Sequence, residues 1–450
     1  MHDQKKKERQ VLTPEAQAAA AQTHERVGAL YKSVLASNKA REFTAKTLAD
    51  TEALLLDVPE AYAAYNCRRL ALEAVGTASP STLGDGSSSS STGSTAAALS
   101  RQEWLVQELK LNSKVLLLNY KNYSAFLHRH WIFNQLEMLA TAELRDTVAA
   151  SGAGCPTDGA ASSPTHELLC GLLRKERAQC EQLLQLDERN FHAWNYRRWV
   201  LAQESRAAQL VAAAAPAGTS PALFTTDEAA ELAYTTQKIK NNFSNYSAWH
   251  QRSLALQSAV GRWGSQPRQS PGWRAALVAQ LQEDVEFLKQ AIYCDPNDQS
   301  AWFYAPFVFQ LLRGRVGHDG AEAAEAVTLA DSFLDSVVDL VAEVDRAGTE
   351  DECYLPYYFL LDQLALLQTA ACEAPGTRNS ASLQRHVAAL LAKVPSLAEH
   401  ATDAAADGGA EATRRRRCFR YLHSRLRKAD TLRQHLYDDM LQRALEGCPG

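Results

Sequence analysis

Residues 187–201 read DERNFHAWNYRRWVL, and this stretch decides the fold because four further versions of it recur along the 450-residue chain. The others are VPEAYAAYNCRRLAL (58–72), NYKNYSAFLHRHWIF (119–133), NFSNYSAWHQRSLAL (242–256) and DPNDQSAWFYAPFVF (295–309). One aromatic aligns in all five copies, at Tyr65, Phe126, Trp194, Trp249 and Trp302. The spacings are 61, 68, 55 and 53 residues, and self-similarity at such a period is typical of a repeat protein built from stacked units.

Four of the five copies carry an arginine three residues after the shared aromatic. Residues at i and i+3 lie on one face of a helix, so the two side chains are predicted to act together. The aromatic is expected to pack between neighbouring hairpins, and the forked guanidinium to hold carbonyls or acids of the next unit. The predicted repeat core is Trp194, Arg197, Trp249, Arg252 and Trp302.

The residues just before each aromatic are rich in Asn, Asp, Ser and Pro. Such residues cap helices, because their side-chain oxygens accept bonds from the free N–H groups of the first turn. Each copy is therefore predicted to begin the second helix of a hairpin. The fifth copy departs from the others at Ala305 and Pro306, where a lost arginine contact and a bent helix are predicted, since proline removes a backbone hydrogen bond.

Composition and charge argue against several classes of protein. A net charge of −5 and a pI of about 6.2 do not suit a nucleic-acid binder, which usually has a basic domain. Nine cysteines without a C-x-x-C pair and 12 histidines without H-E-x-x-H show no zinc-ligand pattern and no disulfide framework. We therefore predict no metal site and no membrane span in this chain, and a cytoplasmic location with free thiols.

The chain is predicted to be all-α, a solenoid of antiparallel helical hairpins forming a single domain over residues 1–450. Helices are predicted over residues 14–37, 41–57, 101–118, 273–294 and 321–346. Loop inserts, predicted to be disordered because they are rich in Gly, Ser, Ala and Pro, cover residues 76–98, 148–164, 212–226 and 395–413.

The pattern N-[YF]-[HS]-A-W-x-x-R resembles the repeat motif of protein prenyltransferase alpha subunits. Within that family, copies three to five and the C-terminal YLHSRLRKADTLRQHLYDDM (421–440) are most similar to the Rab geranylgeranyltransferase, or type II, branch. The resemblance spans nearly the whole chain apart from the inserts. It implies a right-handed, crescent-shaped superhelix wrapped around a beta subunit, which would hold the zinc ion and the lipid pocket. No cofactor is implied in this chain itself.

The resemblance also implies the activity. As the alpha subunit of a heterodimeric enzyme, the chain would help to transfer geranylgeranyl from geranylgeranyl diphosphate to C-terminal cysteines of Rab GTPases. In this branch the Rab protein is presented by an escort protein, so the implied partners are a beta subunit, the escort protein and the Rab GTPase.

Two alternatives stay open. The chain could be the alpha subunit shared by the CaaX farnesyltransferase and geranylgeranyltransferase type I, although Ser124 stands where that subunit has a glutamine that reads the peptide carboxylate. It could also be a non-enzymatic helical-repeat adaptor. A tetratricopeptide period of 34 residues would favour an adaptor, and the spacings of 53 to 68 residues do not fit it.

The residues show no nucleophile–base pair and no Gly-rich phosphate loop, so the catalytic candidate comes from the resemblance. It implies that Lys121, in NYKNY (119–123), faces the diphosphate, and that Tyr123 and His192 line the same opening as substrate-binding residues. An ammonium group beside a leaving diphosphate stabilises the charge that develops there. Without the motif, a lysine in such a loop would be interpreted as a solvated charge.

Overall fold

The computed structural model describes residues 13–77, 100–150, 163–211, 226–264, 272–314, 316, 320–348, 353–374, 376–399 and 410–446. Every regular element in these residues is helical, which confirms the all-α prediction. The chain divides into two compact units, Met1–Ala217 and Gly218–Gly450. The single domain over residues 1–450 and the right-handed, crescent-shaped superhelix stay predictions.

The first unit contains a leading helix and three helical hairpins. Its helices are α1 (Pro14–Ala40), α2 (Ala45–Asp57), α3 (Tyr62–Thr77), α4 (Arg101–Leu118), α5 (Tyr123–Ala150), α6 (Pro164–Leu186) and α7 (Phe191–Val211). Helix α4 has the predicted bounds because Ser100 and Glu103 form a reciprocal capping box at its start. The hairpins pair α2 with α3, α4 with α5, and α6 with α7, and a sequence copy begins the second helix of each.

The second unit continues the pattern with two more hairpins and then departs from it. Its helices are α8 (Thr226–Asn241), α9 (Tyr246–Gly264), α10 (Trp273–Cys294), α11 (Gln299–Gly314), α12 (Ala321–Ala347), α13 (Leu355–Glu373), α14 (Arg378–Lys393), α15 (Ser396–Glu399), α16 (Ala410–Ala429), a 3₁₀ turn (Thr431–Arg433) and α17 (Gln434–Glu446). The helices predicted over 273–294 and 321–346 are confirmed as α10 and α12. No helix among the described residues is long and apolar enough to cross a membrane.

The predicted inserts fall mostly outside the described residues, which omit 78–99, 151–162, 212–225 and 400–409. At the edges of these inserts, the helices extend into segments that the composition predicted to be loops. Residues 76–77 belong to α3, residues 148–150 to α5, and α15 lies within the predicted loop over 395–413. Alanine-rich segments favour helix wherever a neighbouring turn is already formed, so composition alone places such boundaries poorly.

The aligned aromatic is buried in every copy. The indole N–H groups of Trp194, Trp249 and Trp302 each donate to the carbonyl six residues earlier, at 2.8 to 2.9 Å. Rings also meet across neighbouring hairpins: in the first unit Phe126 lies 5.2 Å from Tyr196 between ring centroids. In the second unit Trp249 lies 5.0 Å from Tyr304. The predicted packing between hairpins is thereby confirmed within each unit, and the indole bonds additionally fix the turn before each second helix.

Three of the four arginines, Arg68, Arg129 and Arg252, join neighbouring hairpins as predicted. Arg68 of α3 forms a bidentate ion pair with Glu108 of α4. Its Nη1 atom also donates to the Leu48 carbonyl, at 2.8 Å, and to the Thr51 hydroxyl of α2. One guanidinium thus joins the first helix of its own hairpin to the first helix of the next.

The same arrangement recurs twice more. Arg129 pairs with Glu176 of α6, and Arg252 pairs with Asp284 of α10 at 2.5 Å. Arg197 pairs at 3.1 Å with Glu181 of α6, within its own hairpin. All four arginine side chains are buried, which explains why an ever-charged, forked donor was needed at this position.

The three acids that join neighbouring hairpins, Glu108, Glu176 and Asp284, were missed by the sequence interpretation. Each also binds a side chain two residues after the aromatic of its own hairpin: His128 bonds Glu108, Tyr196 bonds Glu176, and Tyr304 bonds Asp284. Glu108, Glu176, Glu231 and Asp284 all stand 18 residues before an aligned aromatic, and all four are buried. A constant spacing to the aromatic was therefore the available signal.

The fifth copy lacks an arginine, and aromatic packing occupies its place. Helix α11 is continuous over Gln299–Gly314 with Pro306 inside it, and Ala305 is fully buried. Phe309 contacts Phe333 of α12 and Phe359 of α13, with ring centroids 5.7 and 5.3 Å apart. The lost arginine contact and the bend at Pro306 both stay predictions.

Replacing Arg129 by methionine is expected to lower the free energy of unfolding by about 3–5 kcal/mol, because Glu176 would keep a buried charge without its partner. Denaturant unfolding followed by circular dichroism measures this effect. The matched control is Arg206→Met, since Arg206 pairs with Glu137 at a largely exposed site and should change stability by about 1 kcal/mol or less. Equal effects of the two substitutions would contradict the joining role of the buried pair.

Glu108 is expected to make stability depend on acid pH. Burial acts to raise the pKa of its carboxyl, but hydrogen bonds from His128 and Arg68 and the charge of Arg68 lower that pKa to about 2. The stability that it contributes is present above its unfolded pKa of about 4.3 and is lost as pH falls through about 2. The stability difference between wild type and Glu108→Gln should therefore shrink as pH falls across this window. A difference that stays constant in denaturant titrations would show that the ion pair contributes no net stability.

Candidate functional site

The turn between α4 and α5 holds Lys121 in a fixed backbone geometry. The Asn119 side-chain oxygen accepts the Lys121 N–H at 3.1 Å, and the Asn122 side-chain oxygen accepts the Ala125 N–H at 3.1 Å. Asn122 thus caps α5, as its position predicted, and its amide also donates to the Pro59 carbonyl of the preceding copy. The lysine is presented by a turn secured from both ends.

The turn between α6 and α7 has the same design one copy later. The Asp187 Oδ1 atom accepts the Arg189 N–H at 3.0 Å, and the Asn190 side-chain oxygen accepts the N–H groups of His192 and Ala193. The Asn190 amide donates to the Tyr120 carbonyl at 2.9 Å. This bond connects the two turns directly and sets their register.

An ion pair connects the two turns a second time. The Lys121 Nζ atom lies 2.5 Å from Asp187 Oδ2, and the side chains are 29% and 18% exposed. Burial acts to raise the pKa of Asp187, but the hydrogen bond and charge of Lys121 outweigh it and hold that pKa below its usual value. The Tyr120 ring lies 5.8 Å from the same ammonium group, so Lys121 is a positioned cation rather than a solvated one.

A cluster of aromatic rings lies beside the turn that carries this cation. His192 lies 5.8 Å from Tyr123, 6.2 Å from Phe126 and 4.0 Å from Phe191 between ring centroids. Burial, and secondarily the charge of Lys121, lower the pKa of His192, which favours a neutral imidazole at neutral pH. The structure therefore brings the three predicted residues Lys121, Tyr123 and His192 together in one patch. We call this patch, with Asp187 and Phe191, the two-turn site.

Two members of the two-turn site were missed from the sequence. Asp187 lies in the stretch before the aromatic that was predicted to cap helices, and it ends α6. Its partner Lys121 stands 66 residues earlier, in the preceding copy. Phe191 opens α7 with its side chain 59% exposed. The signal was its register, because Tyr62, Tyr123, Phe191 and Tyr246 all stand three residues before an aligned aromatic.

The second unit shows what the same position looks like without a lysine. Ser244 stands where Lys121 stands, five residues before the aligned aromatic, and Asp295 stands where Asp187 stands. Ser244 and Asp295 line a cavity of about 260 Å³. Asp295 Oδ1 accepts the Asn297 N–H at 2.9 Å, so the capping bond persists. Asp187 and Asp295 therefore share the capping bond, whereas the lysine opposite the aspartate is present at the two-turn site and replaced by Ser244 in the second unit.

The chemistry available at the two-turn site is binding and orientation of an anion. A held ammonium group, a neutral imidazole and exposed aromatic rings suit a group that carries negative charge beside an apolar part. Across the described ranges, no three His, Cys, Asp or Glu side chains are grouped so that they could hold a metal ion.

These features define an α-helical repeat protein whose hairpins are joined by buried arginine–acid pairs. The family model for the protein prenyltransferase alpha subunit repeat matches residues 105–136, 173–204, 229–259 and 281–312. These four matches contain sequence copies two to five, and each ends inside the second helix of its hairpin. The chain therefore contains four matches to the protein prenyltransferase alpha subunit repeat.

Curated relatives share one name. The chain is 32% identical to "Geranylgeranyl transferase type-2 subunit alpha" of Mus musculus over 300 residues, which cover 65% of this chain and 40% of that protein. It is 35% identical to the Bos taurus protein of the same name over 208 residues, 44% of this chain and 32% of that one. The Schizosaccharomyces pombe protein of that name is 34% identical over 125 residues, 28% and 30% of the two chains.

The matched regions thus span less than half the length of these relatives. A solved structure titled "Candida albicans protein geranylgeranyltransferase-I complexed with GGPP" covers 98% of this chain and 96% of its own, with 16% identity and a TM-score of 0.47.

Proposed function

We propose that this chain is the alpha subunit of a heterodimeric Rab geranylgeranyltransferase of the cytoplasm. The complex would transfer geranylgeranyl from geranylgeranyl diphosphate to C-terminal cysteines of Rab GTPases presented by an escort protein. The proposal is supported by the type-2 alpha-subunit relatives, which are at least 32% identical over their matched regions. The observation that carries it is the ammonium group of Lys121, held at 2.5 Å from Asp187 beside exposed aromatic rings.

Lys121 supplies the electrostatic part of the reaction in this proposal. Transfer breaks the bond between the isoprenoid C1 atom and the diphosphate oxygen, so negative charge grows on the departing diphosphate. A preorganised ammonium group stabilises that charge more in the transition state than in the ground state. The zinc ion that the family places on the beta subunit would hold the substrate cysteine as a thiolate.

Tyr123 and His192 shape the approach to Lys121. His192 is held neutral by its surroundings, so it can donate one hydrogen bond without adding a second positive charge. Tyr123 is 61% exposed and contacts the His192 ring. Both rings therefore offer apolar surface and a polar edge beside the ammonium group, as a bound prenyl diphosphate would require.

The partner surface is marked by aromatic side chains at the starts of the second helices. Tyr62, Tyr123 and Phe191 open α3, α5 and α7 and are 55%, 61% and 59% exposed. Large aromatic residues are enriched at protein interfaces and often carry most of the binding energy. We assign this row in the first unit to the beta subunit, because two of its members, Tyr123 and Phe191, belong to the two-turn site with the lysine that must face a site on that subunit.

Co-expression tests the assignment of the partner. The tagged chain would be produced with a type II beta subunit and, separately, with a CaaX-type beta subunit, and the complexes isolated by size exclusion. A stable one-to-one complex with the type II subunit alone is expected. Pairing with the CaaX-type subunit would move the assignment to the shared farnesyl and type I alpha subunit, and pairing with neither would favour an adaptor.

A further inference from the structure

Asp187 makes one contact more than its capping role needs. Its backbone N–H donates to the Leu183 carbonyl at 3.1 Å, and its Oδ1 atom accepts the Arg189 N–H. These two bonds end α6 and shape the following turn. Its second oxygen, Oδ2, contacts the Lys121 ammonium group of the preceding copy at 2.5 Å.

Asp295 provides an internal comparison within the second unit. Its backbone N–H donates to the Ala291 carbonyl at 3.1 Å and its Oδ1 atom accepts the Asn297 N–H at 2.9 Å, as at Asp187. The residue in the register of Lys121 is Ser244 there, whose side chain carries no charge. The aspartate at this position is thus explained by capping in both copies, whereas its contact with an ammonium group is particular to Asp187.

We propose that Asp187 is a positioning residue that holds Lys121 in the orientation needed at the diphosphate. The inference rests on the function proposed above. A lysine side chain has four rotatable bonds, and at 29% exposure it would otherwise sample several orientations. The carboxylate of Asp187 can restrict it because that carboxylate is itself fixed by the Arg189 N–H.

The connection between the turns makes this restraint effective. The Asn190 amide bonds to the Tyr120 carbonyl, so the backbone on which Lys121 stands is fixed relative to that of Asp187. The ion pair therefore joins two turns whose backbones are already fixed relative to each other. The Lys121 side chain then needs little further ordering when substrate binds. Preorganisation of this kind lowers the barrier to the reaction without tightening substrate binding in the ground state.

A double-mutant cycle on the assembled heterodimer tests the proposal. Asp187→Asn keeps an oxygen that can accept the Arg189 N–H but removes the negative charge. It is expected to lower kcat by about tenfold, a change of about 1.4 kcal/mol in the barrier, with KM for the diphosphate substrate nearly unchanged. Because Asp187 acts through Lys121, the double variant Asp187→Asn with Lys121→Ala should be no slower than Lys121→Ala alone.

Asp295→Asn is the matched control, since it alters the same cap where no lysine stands opposite. It should leave kcat unchanged, and thermal unfolding of both Asn variants should show similar, small changes. Multiplicative effects in the cycle, or equal losses of kcat in Asp187→Asn and Asp295→Asn, would overturn the positioning role. Failure of the wild-type heterodimer to transfer geranylgeranyl would instead refute the proposed function, and this inference with it.

Discussion

Replacing Lys121 by alanine is expected to lower kcat for geranylgeranyl transfer by about 10²–10³-fold, the usual cost of removing one preorganised charge-stabilising donor. The ammonium group is held 2.5 Å from Asp187 in a turn fixed by Asn119, so the substitution removes a positive charge that is already positioned before substrate binds. Heterodimer formation should be unaffected, because the turn geometry depends on the two asparagines rather than on the lysine.

Single-turnover kinetics with radiolabelled geranylgeranyl diphosphate measure this loss directly. Lys110→Ala is the control, since Lys110 is an exposed lysine of α4 in the same unit. It removes the same net charge and should change the rate less than twofold. A Lys121→Ala enzyme with a rate close to wild type would show that the diphosphate is stabilised by other groups.

Replacing Tyr123 and Phe191 together by alanine is expected to weaken binding of the beta subunit by about 10³-fold, if each contributes about 2 kcal/mol as interface aromatics often do. Both rings are more than half exposed in this chain and stand at the first residues of α5 and α7. Their loss should not unfold the chain, because neither ring belongs to the buried core.

Surface plasmon resonance with immobilised beta subunit measures this affinity. Met138→Ala provides the control, because Met138 lies further along α5 and is 66% exposed. It removes exposed apolar surface away from the start of the helix and should leave the affinity nearly unchanged. If both substitutions weakened binding equally, the aromatic row would not be the interface.

Much of the fold was predictable because a short, local pattern is repeated. The aromatic and the arginine stand three residues apart and so lie on one helical face. This spacing was enough to predict a buried ring beside a guanidinium that joins neighbouring hairpins. The acids that complete each pair were not predictable in the same way. Arg68, Arg129 and Arg252 reach acids 40, 47 and 32 residues ahead, and these separations change with the inserts between hairpins.

The residues of the two-turn site also differ in how far the sequence predicted them. Lys121 and Tyr123 belong to one copy, and both were identified because NYKNY (119–123) resembles a segment of the family. His192 lies in the following copy and was placed with them only by resemblance. Asp187 was missed because its partner stands in another copy, and only stacking of the two turns brings the carboxylate to the ammonium group.

The most direct measurement is reconstitution of Rab geranylgeranylation from purified parts. The chain would be combined with a type II beta subunit, geranylgeranyl diphosphate and a Rab GTPase, with or without escort protein, and the product followed by mass spectrometry. We predict geranylgeranyl groups on C-terminal Rab cysteines only when the escort protein is present. Modification of a short CaaX peptide without escort, and none of the Rab protein with it, would contradict the account.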